Sequence, residues 1–321
     1  MKNKAIENMK DIPTLGQAYW NQRERLSGLR DRILMLSGFV NKEVDLHPYQ
    51  WAQLMAFAFE YSPDLILELG RGHGNSTCAF TEVANQLTPN KCRVISICDS
   101  DKWRKKTYPR LVKGVSEEWF HPLTIIDDDI LSVDYESHLS GFERILVFWD
   151  AHGFDVAECV LGKILPIIHK KSHAVIMHDI HDTNYWPPDF REYGGQGLWR
   201  GGNYEAGRLL CLNNLHGCVD QIVAILDFIS RNDLLLHSAD HSLHQEIGNS
   251  SEKTNEMKGL LGEELFSLMA HWFWFSLYGE KREFTFPQFT PLRKKELPFP
   301  NRVKLALKML LGRSSRRDRE I

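Results

Sequence analysis

Five short apolar runs in this chain each end in side chains that can do chemistry. Leu65-Ile66-Leu67 ends at Glu68 and a glycine loop, Gly70-Arg71-Gly72-His73-Gly74. Val94–Cys98 ends at Asp99, and Leu123–Ile126 at the triplet Asp127-Asp128-Asp129. Ile145–Trp149 ends at Asp150-Ala151-His152, and Ala174–Met177 at His178-Asp179. Carboxylates accept hydrogen bonds from hydroxyls and ligate hard cations, whereas an imidazole moves protons near neutral pH. The glycine loop has different chemistry: a strand turning sharply into a helix aims backbone N–H groups at a ligand. One carboxylate at a strand end is an ordinary cap, but five such ends in succession imply a shared crevice.

The elements that must hold these residues follow from the pattern. Each run is short and almost continuously apolar, and helix-length segments separate them, as in parallel strands buried on both faces. In open α/β sheets ligands bind outside the carboxyl ends of the strands, so the polar ends converge. Helical spacing of apolar residues marks Leu26–Leu36 and Pro48–Tyr61, with Ser62-Pro63-Asp64 as a break. After the fifth strand, residues 183–203 are rich in Gly, Pro, Trp and Tyr, a composition suited to an ordered substrate loop. Asn203–Leu215 reads as helix, and Gln221–Ile229 with Leu234–His237 as two strands joined through Ser230-Arg231-Asn232-Asp233. Residues 245–258 read as loop and 259–279 as a helix carrying the cluster His271-Trp272-Phe273-Trp274-Phe275. The expected fold is α/β: a Rossmann-like sheet of five parallel strands plus a late antiparallel hairpin, flanked by helices. The expected domains are an N-terminal helical extension (1–47), a catalytic domain (48–245) and a C-terminal helical, basic extension (246–321).

The loop does not match the dinucleotide fingerprint, because GxGxxG requires glycine where Asn75 stands. The segment Leu65–Thr77, with its ELGRGHGNST, instead resembles the first motif of class I S-adenosylmethionine-dependent methyltransferases, over roughly residues 48–240. That resemblance implies that Glu68, Gly70, Gly72 and Gly74 line the cofactor and that Asn75 and Ser76 approach its carboxylate. It also implies that Asp99 holds the ribose hydroxyls and that Asp128 or Asp129 lies near the adenine. The fourth- and fifth-strand ends look like those of small-molecule and sugar O-methyltransferases and of cephalosporin-hydroxylase-like proteins. In that subgroup a divalent metal such as Mg²⁺ sits between the two strand ends. Mapped here, Asp150, His178 and Asp179 would be its ligands, and Asp150 and His152 the catalytic pair, with His152 as base. His178 departs from the subgroup's Asp or Glu, and hard Mg²⁺ prefers oxygen.

Three other functions remain as alternatives: a metal-dependent hydrolase built on Asp150, His152, His178 and Asp179, a nicotinamide-dependent oxidoreductase, and a non-catalytic partner keeping the fold. Composition narrows the field. The 321 residues are 43% hydrophobic and 25% charged with a formal net charge of -3, which argues against a nucleic-acid partner. The six cysteines form no CxxC pair and read as buried thiols in a reducing compartment. With no apolar stretch resembling a signal peptide or a membrane span, the expected location is cytoplasmic. The expected partner is a small-molecule or glycan acceptor, with homo-oligomerisation left open. The tail, Arg293–Arg319, is basic, with Val303, Leu307, Leu310 and Leu311 at helical spacing. It is either a solvated face or a peripheral contact with an anionic membrane.

Overall fold

The structure is a computed structural model that describes residues 12–41, 46–87, 91–178, 192–193, 196–197, 212–279 and 282–290. The chain divides into a unit spanning Met1–Phe289 and a second beginning at Thr290. The basic tail and most of the 183–203 loop lie outside the described residues.

The first unit is built on a seven-stranded sheet. Its strands are β1 (Leu65–Leu69), β2 (Arg93–Ile97), β3 (Leu123–Ile126), β4 (Arg144–Trp149), β5 (Ser172–His178), β6 (His237–Ser238) and β7 (Trp272–Phe275), in the order β3-β2-β1-β4-β5-β7-β6. A separate short antiparallel pair joins Glu192–Tyr193 to Gln196–Gly197. The strands from β1 to β5 run parallel, and β7 is antiparallel to both β5 and β6. Strand order reverses beside β1, which pairs with β2 on one side and β4 on the other, making β1/β4 the topological switch point.

Side chains alternate between two cores, as the period-2 geometry of a strand requires. Ile66, Val94, Leu146, Phe148 and Ile176 join one core. Leu65, Leu67, Ile95, Val147, Trp149 and Val175 join the other. Both faces are covered, which is why these strands read as continuous apolar runs. The first core is capped by α1 (Leu15–Asn21), α2 (Arg23–Gly28), α3 (Arg30–Val40), α4 (Pro48–Tyr61) and α5 (Asn75–Gln86). Pro48 at the first turn of α4 has no N–H to leave unpaired, and His47 and Gln50 close a capping box around it. The second core is covered by α6 (Phe154–Cys159), helical onward to Ile168, and by α7 (Leu212–Asn232).

Three local expectations are corrected. Gln221–Ile229 is helix within α7, not strand. Gln221, Ile225 and Phe228 are buried while Val223 and Leu226 are exposed, so burial follows a helical period. The supposed hairpin turn is this helix's end, where Asp233 takes a left-handed conformation (φ 47°). The aromatic cluster is likewise strand β7, not helix. Trp272 and Trp274 pack on Phe57, at ring distances of 5.6 and 5.9 Å, while Phe275 meets Phe228 on the opposite face at 6.4 Å. That two-residue alternation is possible only in extended chain. Finally, α8 (Ser251–Leu265) occupies most of the expected 245–258 loop, capped by Ser250, whose hydroxyl accepts from the Lys253 N–H. The antiparallel pair β6/β7 exists, but α8 lies between its strands in sequence.

His173, fully buried in β5, ties the sheet to the chain beyond β7. Its Nδ1–H donates to the Lys171 carbonyl at 2.9 Å and its Nε2 accepts the Leu277 N–H at 3.0 Å. Burial pushes its pKa down to about 4, below the ordinary 6.5. The unfolded chain therefore binds a proton from pH 6.5 downward that the folded chain refuses until pH 4. Stability is present above that window and is lost as pH falls through it, by about 3 kcal/mol. Urea titrations at pH 7 and pH 4 should show this loss, and His173→Gln should remove that share of the acid slope. An unchanged slope in the variant would discard the assignment.

Candidate functional site

The parallel register brings the strand ends level. Leu69 stands beside Ile97 of β2 and Trp149 of β4, and Trp149 beside Met177 of β5. The residues that follow therefore form one row. The Gly70 N–H donates to Ile97 O (3.0 Å), and the Asp150 N–H to Leu69 O (2.8 Å).

The three loop glycines have different reasons. Gly70 has φ +100°, and a Cβ there would overlap the Asp150 backbone carbonyl. Gly74, the N-cap of α5, has φ +92°, and a Cβ would enter the Trp103 ring. Gly72, at φ +50°, has nothing within 4 Å of where a Cβ would sit. Two glycines thus let backbone and ring approach closely, and the middle one borders open space.

Glu68 is fully buried, and its carboxylate accepts from Ser76 Oγ, Thr77 Oγ1 (2.6 Å) and Ser96 Oγ. The chemistry of this carboxylate is therefore spent beneath the loop, locking β1, β2 and the first turn of α5 together. Ser76 is buried with it, and Asn75 Oδ1 accepts the Trp51 indole N–H at 3.2 Å. Asp99 is exposed two residues past Ile97, where β2 ends. Asp128 accepts the Asp129 N–H at 2.7 Å, and Asp129 accepts the Leu131 N–H at 3.0 Å, so both carboxylates shape the turn after β3.

Arg71 is a component that sequence reasoning did not single out. Its buried guanidinium donates to Ser96 O (2.8 Å), Cys98 O (3.4 Å) and the Asp127 carboxylate. It therefore ties the glycine loop to the ends of β2 and β3. An arginine between two glycines gives no sign in sequence of which carbonyls it will reach.

Across the switch point, Asp150 follows the last residue of β4 and His178 ends β5, with His178 Nδ1 3.2 Å from Asp150 Oδ1. Gln50, from the first turn of α4, places its Nε2 3.4 Å from His178 Nε2. His152 is exposed, and its Nδ1 lies 3.3 Å from Oε1 of the buried Gln221 on α7. Neither glutamine is legible as a site residue, since 128 and 69 positions separate them from their imidazoles. Asp179 lies outside the described residues. Among the described residues there is no group of three His, Cys, Asp or Glu side chains placed to hold a metal ion. No helix among them is long and apolar enough to cross a membrane.

No protein-family model matches the chain, and no curated protein matches it either. Among solved structures, the chain is similar to a Podospora anserina methyltransferase, PaMTH1, bound to SAH. Identity is 18%, covering 58% of this chain and 72% of that one, with a TM-score of 0.39. The O-methyltransferase TomG of Streptomyces achromogenes, involved in tomaymycin synthesis and solved with SAM, matches at 17% identity over 63% of this chain and 80% of that one. Its TM-score is also 0.39. CalS11, a TDP-rhamnose 3'-O-methyltransferase of calicheamicin biosynthesis, matches at 13% identity over 64% and 73%, with a TM-score of 0.35.

Proposed function

We propose that this chain is a class I S-adenosylmethionine-dependent methyltransferase acting on a hydroxyl of a sugar or another polar small molecule. The observation that carries the proposal is the crevice at the β1/β4 switch point. There a glycine loop leads into a helix N-terminus, Gly72 borders open space, and Asp99 stands exposed at the neighbouring strand end.

The bound cofactor would supply a sulfonium-activated methyl group, so what remains for the protein is alignment and proton removal. The chain's own residues divide these tasks. The loop and the first turn of α5 would hold the cofactor, stiffened from beneath by Glu68 and from the side by Arg71. Asp99 would accept from a ribose diol. His152 would act as base: with its Nδ1 edge turned to Gln221, the acceptor's proton would be taken at Nε2.

The other enzyme classes find less support. A nicotinamide site built on the dinucleotide fingerprint would want glycine at Asn75, whose side chain instead packs against Trp51. The metal-dependent hydrolase would need a metal cluster, and His178 is engaged by Asp150 and Gln50.

Calorimetry with S-adenosylhomocysteine tests the proposal directly. Wild type should bind, and Asp99→Ala should weaken binding by roughly ten- to a hundredfold, the cost of a hydrogen bond to a charged group. Absence of binding to the wild type would end the methyltransferase assignment.

A further inference from the structure

The contact between Gln50 and His178 decides where the His178 proton sits. Nitrogen faces nitrogen here, Gln50 Nε2 to His178 Nε2 at 3.4 Å, so one must donate and the other must offer a lone pair. The orientation of the Gln50 amide settles which, and two contacts that do not involve His178 fix that orientation. Gln50 Oε1 accepts the His47 N–H at 2.9 Å, closing the capping box of α4. Gln50 Nε2 also lies 3.4 Å from the Ala270 carbonyl oxygen. A flipped amide would set oxygen against that carbonyl and an N–H against the His47 N–H. Gln50 therefore donates, His178 Nε2 accepts, and the single proton of a neutral His178 rides on Nδ1, facing Asp150 Oδ1 at 3.2 Å.

We infer that His178 is a positioning residue: a neutral, Nδ1-protonated imidazole, its tautomer set by Gln50, that donates to the Asp150 carboxylate and ligates no metal. The burial pattern suits this role. His178 is 1% exposed while the Asp150 side chain is 21% exposed, so the donor is enclosed and the carboxylate it holds opens toward the crevice. The Asp150 N–H donates to Leu69 O at 2.8 Å and the absence of a side chain at Gly70 leaves room for its carbonyl, so main chain and side chain are both held.

The resemblance noted from sequence places a divalent cation at these strand ends, and His178 does not fit that group. A neutral imidazole has one lone pair. Here Gln50 takes it on Nε2, and the Nδ1 edge that faces Asp150 carries the proton. A cation at that edge would need the proton moved to Nε2, against the Gln50 N–H. The inference rests on the proposed methyltransferase function only for what the positioned Asp150 serves; the tautomer follows from the contacts alone.

Two-bond ¹H–¹⁵N correlation spectra of the ¹⁵N-labelled full chain test it, with His178 assigned by its disappearance in His178→Asn. The expected wild-type pattern is a protonated Nδ1 and an unprotonated Nε2. Gln50→Glu, whose carboxylate at neutral pH only accepts, should move the proton to Nε2 or add a second one. A wild-type His178 protonated at Nε2, or an unchanged pattern in Gln50→Glu, would overturn the assignment. If Gln50→Glu does not fold, the wild-type spectrum alone decides. A parallel titration with MnCl₂ should show no binding that depends on His178. Stoichiometric Mn²⁺ uptake by wild type that is lost in His178→Asn would overturn the claim that this ring ligates no metal. Calorimetry with S-adenosylhomocysteine stands apart: its failure with the tautomer intact would remove the methyltransferase function and leave the dyad.

Discussion

Gly70→Ala should lower the melting temperature by roughly 10 °C, whereas Gly72→Ala, two residues away, should cost only the backbone strain of its positive φ, about 1–2 kcal/mol or a few degrees. At Gly70 a methyl group would overlap the Asp150 carbonyl, a backbone atom that cannot swing aside, and φ is +100°. Overpacking costs about 1–3 kcal/mol and a left-handed L-residue about 1–2 kcal/mol more. At roughly 2–4 °C per kcal/mol for a domain of this size, the sum gives the expected shift. At Gly72 only the backbone conformation counts, since nothing stands within 4 Å of an added Cβ. That open space is where the proposed cofactor would approach the loop. Gly72→Ala should therefore weaken S-adenosylhomocysteine binding by at least about tenfold while the protein remains folded. Thermal denaturation and calorimetry on the two variants separate packing from binding. Wild-type affinity in Gly72→Ala would mean that no ligand lies against the loop there.

The parts of this structure legible in sequence are those whose causes are local. Strands β1, β2, β4 and β5 are enclosed on both faces, so most residues in them are apolar, and a polar residue stands at or just past each strand's carboxyl end. The glycine loop is legible because positive φ at three positions leaves few other residue types. The helix α7 is not, because a run such as Ile222-Val223-Ala224-Ile225-Leu226 satisfies both periods until burial picks one. Strand β7 misleads in the opposite way. Its aromatics gain their direction only from Phe57 on one face and Phe228 on the other, contacts that a linear pattern does not carry.

The candidate site shows the same division. Strand-end position marks Asp150, His152 and His178 in sequence, yet what each can do depends on distant partners. Gln50 converts His178 from an apparent ligand into a donor. Glu68 reads as a ligand-facing carboxylate until Ser76, Thr77 and Ser96 are seen to enclose it. Arg71 reads as a neutral loop position until the ends of β2 and β3 arrive beside it. Register, which sets these meetings, is a property of the assembled sheet.

His152→Ala should reduce turnover by about 10² to 10⁴, the usual loss when a positioned general base is removed. The basis is placement: His152 is exposed three residues beyond the end of β4, and Gln221 orients its ring from a fully buried position. The described partner of the imidazole is Gln221 on α7, not the glycine loop's scaffold of Glu68 and Arg71, so affinity for S-adenosylhomocysteine is expected to stay at the wild-type level, making this a change in rate and not in cofactor binding. Gln221→Leu should reproduce part of the rate loss, because the ring would keep its nitrogen but lose its orientation. An acceptor found by screening hydroxylated small molecules and glycans with S-adenosylmethionine allows the comparison, with release of S-adenosylhomocysteine as the signal. Because His178 is assigned as a donor, EDTA should leave wild-type turnover unchanged in the same assay. Undiminished turnover in His152→Ala would exclude it as the base and leave Asp150, held by His178 at the adjoining strand end, as the group to test next.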